Sequence, residues 1–167
     1  AGGDRYEVVD FPGCHALREY PQGDSANAIS EIEQQINHNE IDLWLNVLDV
    51  EHLEKQLYMT IQLLEAGQPV IIVLNRIDRL AVIQKNIDIQ QLSAFLNTPV
   101  VKVSAKLGLG IRSLQATIRD ALMAAKKDLP IAYPISYNAA IERLLNSKAQ
   151  ASGKSRWIVW QELIAAD

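Results

Sequence analysis

Residues 70 to 74, Val-Ile-Ile-Val-Leu, constrain the fold more than any other stretch of the chain. Consecutive aliphatics have no polar face, so as a strand they must be covered on both sides, which is the setting of a central strand in a parallel sheet. The run ends in Asn75-Arg76-Ile77-Asp78. Open α/β sheets place their ligand-binding loops at the carboxyl ends of the strands, so this Asn-x-x-Asp lies where a ligand would sit. A carboxylate there accepts two parallel N–H donors; guanine offers such a pair on its ring nitrogen and exocyclic amine, and adenine does not. Asp78 is therefore the candidate guanine reader. Asn75 would brace the loop and touch the base with its amide, and the aliphatic stem of Arg76 would lie against the purine or ribose face. Taken alone, the pattern is weak: an Asn turn followed by an Asp helix cap accounts for most Asn-x-x-Asp occurrences.

Two further strand ends change that balance. Arg5 to Asp10 reads as a strand following a turn at Gly2-Gly3-Asp4, and it runs into Asp10-Phe11-Pro12-Gly13. Asp10 could hold Mg²⁺ through a water, and Gly13 would let a backbone N–H approach a terminal phosphate without interference from a Cβ. Pro99 to Val103 reads as a second buried strand and ends in Ser104-Ala105-Lys106. There the Ala105 N–H suits the carbonyl oxygen of the base, Ser104 can orient the Asn75 and Asp78 loop, and Lys106 can cover the base. Each motif has an ordinary turn reading; three in this order, each closing an apolar strand, favour a nucleotide site.

The remaining pattern alternates helices and strands. A helix capped by Asp24 or Ser25 runs to about Asn37 with Ala28, Ile29, Ile32 and Ile36 on one face, after a loop from His15 to Asp24. Ile41 to Leu48 is a strand, with Asp49 placed to cap the next helix. Glu51 to Ala66 is helical, with Leu53, Leu57, Ile61 and Leu64 on one face and Gly67 as the stop. Ile87 to Leu96 and Gly110 to Ala125 read as helices, Pro130 and Pro134 mark a linker, and Ser136 to Ala149 and Arg156 to Ala166 are helical segments. Trp157 and Trp160, three apart, are packing residues. Cys14 and His15 point in opposite directions on extended chain, and neither His38 nor His52 completes a ligand spacing, so a metal or nucleophile role is rejected.

Composition sets the outer limits. The 167 residues are 49% hydrophobic and 22% charged, which fits one globular domain with a small appendage. A formal charge of -4 argues against a nucleic-acid partner, and a single cysteine excludes an internal disulfide framework and makes a reducing cytosol the default. No signal peptide or membrane-spanning run is evident.

The three motifs resemble the third, fourth and fifth signatures of the translation-factor-related GTPases. Leu45-Asn46-Val47-Leu48-Asp49, Leu53-Glu54-Lys55-Gln56-Leu57-Tyr58-Met59-Thr60 and Gln62-Leu63-Leu64-Glu65-Ala66-Gly67-Gln68-Pro69 narrow the likeness to the bacterial ferrous iron transport protein B family. The likeness spans roughly Tyr6 to Ala125 well and the tail more loosely. It implies an α/β, three-layer, Ras-like P-loop GTPase fold with a mostly parallel sheet, residues 1–128 as the GTPase domain and 129–167 as the start of a small helical domain. It further implies GTP and GDP with Mg²⁺ at Asp10, Gly13, Asn75, Arg76, Asp78, Ser104, Ala105 and Lys106. K⁺ as a further cofactor and a homo-oligomer stay open. The family's intact members join this domain to an Fe²⁺ permease in the same polypeptide, at the cytoplasmic face of the bacterial inner membrane.

The departures bear on activity. No Gly-x-x-x-x-Gly-Lys-Ser/Thr lies between a strand and a helix, and Gly153-Lys154-Ser155 lacks both the first glycine and a preceding strand. The first switch is absent too, and Cys14 stands where many GTPases carry a water-orienting glutamine. Two expectations follow: a GTPase domain whose first two motifs are missing from this sequence, favoured by the unpartnered strand at residues 5–10, or a G-like docking module without hydrolysis.

Overall fold

A computed structural model describes residues 5–11, 13, 24–38, 40–83, 86–125, 139–154 and 156–165. The elements run α1 (Asp24–His38), β1 (Trp44–Asp49), α2 (Leu53–Glu65), β2 (Val70–Asn75), a 3-10 turn (Ile77–Arg79), α3 (Ile89–Leu96), β3 (Val100–Lys102), α4 (Ile111–Ala125), α5 (Ala139–Ser152) and α6 (Arg156–Ala165). The aliphatic run becomes β2, the middle strand of a parallel sheet ordered β1-β2-β3. Its register sets Trp44 opposite Val70 and Asp49 opposite Asn75, and Ile72 opposite Val100. Parallel pairing needs crossovers, which α2 and α3 supply.

Both faces of β2 are covered, as a strand without a polar side requires. Val70, Ile72 and Leu74 face a core shared with Ile32 and Ile36 of α1, Met59, Leu63 and Leu64 of α2 and Leu96 of α3. Ile71 and Val73 face the opposite layer with Val101 and Val103, under Leu114, Ile118 and Ala121 of α4. The result is three layers, with strand ends rather than strand faces left to meet a ligand.

Several boundaries differ from the sequence reading for local reasons. β1 starts at Trp44 instead of Ile41, because its first rung is the Trp44 N–H to the Pro69 carbonyl. Asp49 does not cap α2: the helix starts at Leu53 behind His52, which makes no side-chain cap, and an Asp49 carboxylate oxygen instead accepts the Glu51 N–H at 2.9 Å. Gly67, at φ 75°, does end that helix, in the left-handed conformation that glycine adopts without a Cβ penalty. Asp88 caps α3 by accepting the Gln91 N–H.

The expected strand at Arg5 to Asp10 is not formed. Tyr6, Val8 and Val9 are exposed, and the segment joins none of the three paired strands. Ladder bonds need a neighbour in register, and the packing here is of another kind: Phe11 stacks on Trp44 with centroids 5.4 Å apart. The tail helices pack on each other and on α2. Leu145 and Val159 are buried. Arg156 of α6 donates to both Glu142 oxygens of α5, at 2.7 and 3.0 Å, and lies 3.4 Å from Glu65 of α2. Two short helices are thus held by one guanidinium among three elements.

The turn at Gly2-Gly3-Asp4, the caps at Asp24 or Ser25, the loop after His15, Cys14, the linker prolines and the side chains of Trp157 and Trp160 lie outside the described residues. Among those described, no helix is long and apolar enough to cross a membrane.

Candidate functional site

The register that aligns β1, β2 and β3 also gathers their carboxyl ends. The ladder continues past the strands: Val103 N–H donates to Leu74, Ile77 N–H to Val103, and Val50 N–H to Asn75. On this base the Asn-x-x-Asp and Ser-Ala-Lys turns are stitched together by side chains. The Asn75 side-chain Oδ1 accepts the Arg76 N–H at 2.8 Å and the Ala105 N–H at 3.1 Å. Ser104 Oγ donates to Asp78 Oδ1 at 2.6 Å. A neutral hydroxyl bonded to a carboxylate is a strong pairing, and it fixes one Asp78 oxygen while the carboxylate stays exposed at the surface.

The Ser-Ala-Lys turn is closed from below. Ser104, fully buried, exchanges backbone hydrogen bonds with Leu109 in both directions, 3.0 and 3.1 Å. Gly110 follows at φ 77°, and a Cβ there would stand 2.0 Å from the Lys102 carbonyl oxygen. Only glycine permits this approach, so Gly110 holds the turn against β3 and launches α4. Sequence reasoning misses it, although Gly108-Leu109-Gly110 directly after Ser-Ala-Lys is a visible sign of a tight closure.

Charge is concentrated at the same edge. The Ser104 hydrogen bond holds the Asp78 carboxyl below its ordinary value; partial desolvation works against this, and its own backbone N–H and the charges of Lys106 and Arg76 add to the lowering. Arg76 sits in the left-handed region, φ 66° and ψ 33°, uncommon for a residue with a Cβ. Its Nη1 lies 2.6 Å from Asp49 Oδ2 and 3.5 Å from Glu51, and Arg79 Nε donates to Glu51 at 2.8 Å. For Asp49 desolvation pushes the carboxyl up, but the Glu51 N–H, Arg76 and His52 together bring it below the usual range. Asp49, Glu51 and Arg79 do not stand out in the sequence as site residues; adjacency of the β1 and β2 ends is the signal that could have found them.

The structure therefore brings Asn75, Arg76, Asp78, Ser104, Ala105 and Lys106 to one edge. No contact among the described residues ties Asp10 or Gly13 to that edge. Their neighbour Phe11 lies on Trp44, at the amino end of β1. With a rise of about 3.3 Å per residue, that is roughly 16 Å from Asp49. Asp10 is exposed beside Phe11, and no three His, Cys, Asp or Glu side chains converge among the described residues; a Mg²⁺ held by one carboxylate through water and by nucleotide phosphates needs no such cluster.

Residues 1–118 match the family model described as Ferrous iron transport protein B. The chain belongs to that family. It is 33% identical over 144 residues to the Fe(2+) transporter FeoB of Legionella pneumophila (strain Paris), covering 84% of this chain and 18% of that protein. The chain thus spans under a fifth of that relative's length. Among solved structures, a variant of S. thermophilus NFeoB bound to mGDP superposes with a TM-score of 0.75 at 28% identity, over 95% of this chain and 62% of that one. The FeoB G-domain from Methanococcus jannaschii gives 0.63 at 31% identity, covering 70% and 69%. The parallel sheet and its flanking helices are those of the family's Ras-like GTPase domain.

Proposed function

We propose that this chain carries the base-reading part of a domain that binds and hydrolyses GTP and regulates Fe²⁺ uptake through a membrane permease of the same polypeptide, at the cytoplasmic face of the bacterial inner membrane. One observation supports it above the others. Asp78 is oriented by Ser104, and its turn is joined to the Ala105 N–H through Asn75. A carboxylate with one oxygen anchored presents its remaining lone pairs to the ring N–H and exocyclic amine of guanine. The Ala105 N–H and Asn75 amide lie beside it, and Lys106 and the Arg76 stem flank the base in this reading. Adenine presents an acceptor where guanine presents the ring N–H, so Asp78 repels it. In the same reading Asp10 holds Mg²⁺ through a water and Gly13 senses the γ-phosphate. In this reading residues 129–167 are the start of a small helical domain.

Titration of the full-length protein with fluorescent GDP and ADP tests base reading: GDP is expected to bind at least about a hundredfold more tightly, the worth of two charge-assisted hydrogen bonds. Equal affinities would reject it. A second reading, a G-like docking module without hydrolysis, is favoured by the position of Phe11 against Trp44. Phosphate release from GTP by the full-length protein separates the two: turnover supports the enzyme, and tight GTP binding with no release supports the module.

A further inference from the structure

The proposed guanine reader has a cation built into its own turn. Arg76 is two residues from Asp78, and an arginine fork matches a carboxylate in the same bidentate way as a guanine edge does. A guanidinium free to swing would compete with the base for Asp78. In the structure it is held elsewhere. Arg76 Nη1 is 2.6 Å from Asp49 Oδ2 and 3.5 Å from Glu51 Oε2, and Glu51 is itself fixed by Arg79 at 2.8 Å. The left-handed backbone at Arg76, with its N–H on the Asn75 side chain, accompanies this direction.

We propose that Asp49 and Glu51 are positioning residues for base specificity: they hold the Arg76 guanidinium at the end of β1 and so keep the Asp78 carboxylate free for guanine. This rests on the base-reading function above. Exposed ion pairs of this kind contribute little to stability, so the consequence of the arrangement lies in where it places the charge. The guanidinium is held protonated first by its hydrogen bond to Asp49 and then by the charges of Asp49 and Glu51, with Asp78 the weakest contributor. Glu51 would bear an uncompensated charge beside Asp49 without Arg79, so the four side chains form a neutral group with two positive and two negative members.

The test uses the full-length protein and two probes, GDP and inosine diphosphate, which lacks the exocyclic amine. In the double variant Asp49→Asn, Glu51→Gln the carboxylates are neutralised, while the new amide at position 49 keeps an oxygen for the backbone N–H at position 51. GDP affinity is expected to fall about tenfold and inosine diphosphate affinity only about threefold, because a released Arg76 fork displaces both hydrogen bonds between Asp78 and the base, of which inosine diphosphate makes one. Adding Arg76→Met, which keeps an apolar stem and removes the charge, is expected to restore most of the GDP preference. A merely structural role for the acids would lower both affinities alike, with no rescue. An unchanged preference in the double variant, or failure of the third substitution to restore it, overturns the proposal. If the unaltered protein shows no preference for GDP over ADP, the base-reading function fails and this inference falls with it.

Discussion

Two strand-end regions of equal standing in the sequence meet different fates in the fold. Asn75 to Asp78 and Ser104 to Lys106 end strands that pair with each other, and hydrogen bonds from main chain and side chain fix their relative positions. Asp10 to Gly13 follows a segment with no place in the three-stranded ladder, and its nearest described anchor is the Phe11 stack on Trp44. A motif becomes a site only when the backbone beneath it is paired. Ladder bonds between β2 and β3 deliver Asp78 to Ser104; nothing comparable among the described residues positions Asp10.

That contrast can be attacked at the paired end first, where effects are largest. Gly110→Ala forces a Cβ against the Lys102 carbonyl at a positive φ. It should cost about 2–4 kcal/mol, the sum of left-handed strain and overpacking, seen as a lowered midpoint in denaturant unfolding. No change in midpoint would mean the turn is not locked to β3. Asn75→Ala removes the acceptor shared by the Arg76 and Ala105 N–H groups. A loss of about 2 kcal/mol is expected, roughly 1 per hydrogen bond, with faster amide exchange at Ala105 as its local sign. Protection unaltered at Ala105 would break the link between the two turns.

Ser104→Ala is a smaller change with a defined pH signature. Because the Asp78 pKa is lowered in the folded protein, its contribution is present above the ordinary Asp value of 3.8 and is lost as pH falls through the lowered one. Without the Ser104 hydroxyl the pKa rises back toward the ordinary value, so the acid limb of GDP binding should move to higher pH. A superimposable pH profile would show that Ser104 does not tune Asp78. The smallest effect is expected around Phe11: Phe11→Ala should leave the GDP to ADP preference within about twofold, since the proposed base contacts lie at the far end of β1. A large loss of preference would show that the two ends are coupled.

How much of this is legible in the sequence follows the same division. The β2 run announces a doubly covered strand because five branched aliphatics between turn residues leave no polar face, and Asn75 and Asp78 are read from its end as Ser104 is from the end of the Pro99–Val103 strand. Gly67 and the α4 face are readable from local rules alone. The strand expected at residues 5–10 fails because alternation reports the capacity to pair and not the presence of a neighbour. Asp49 reads as a helix cap since spacing cannot tell a carboxylate that caps from one that turns back on Glu51 and points to Arg76. The left-handed Arg76 is invisible for a related reason: its conformation goes with a hydrogen bond spanning 27 positions of the chain.

The most direct test of the account is the ratio of GDP to ADP affinity in the full-length protein, measured for the natural residue and for Asp78→Asn. An amide offers one acceptor where the carboxylate offers two and carries no charge, so the ratio should collapse by about one to two orders of magnitude. If Asp78→Asn keeps the natural preference, Asp78 does not read the base and this strand-end cluster is not a guanine site.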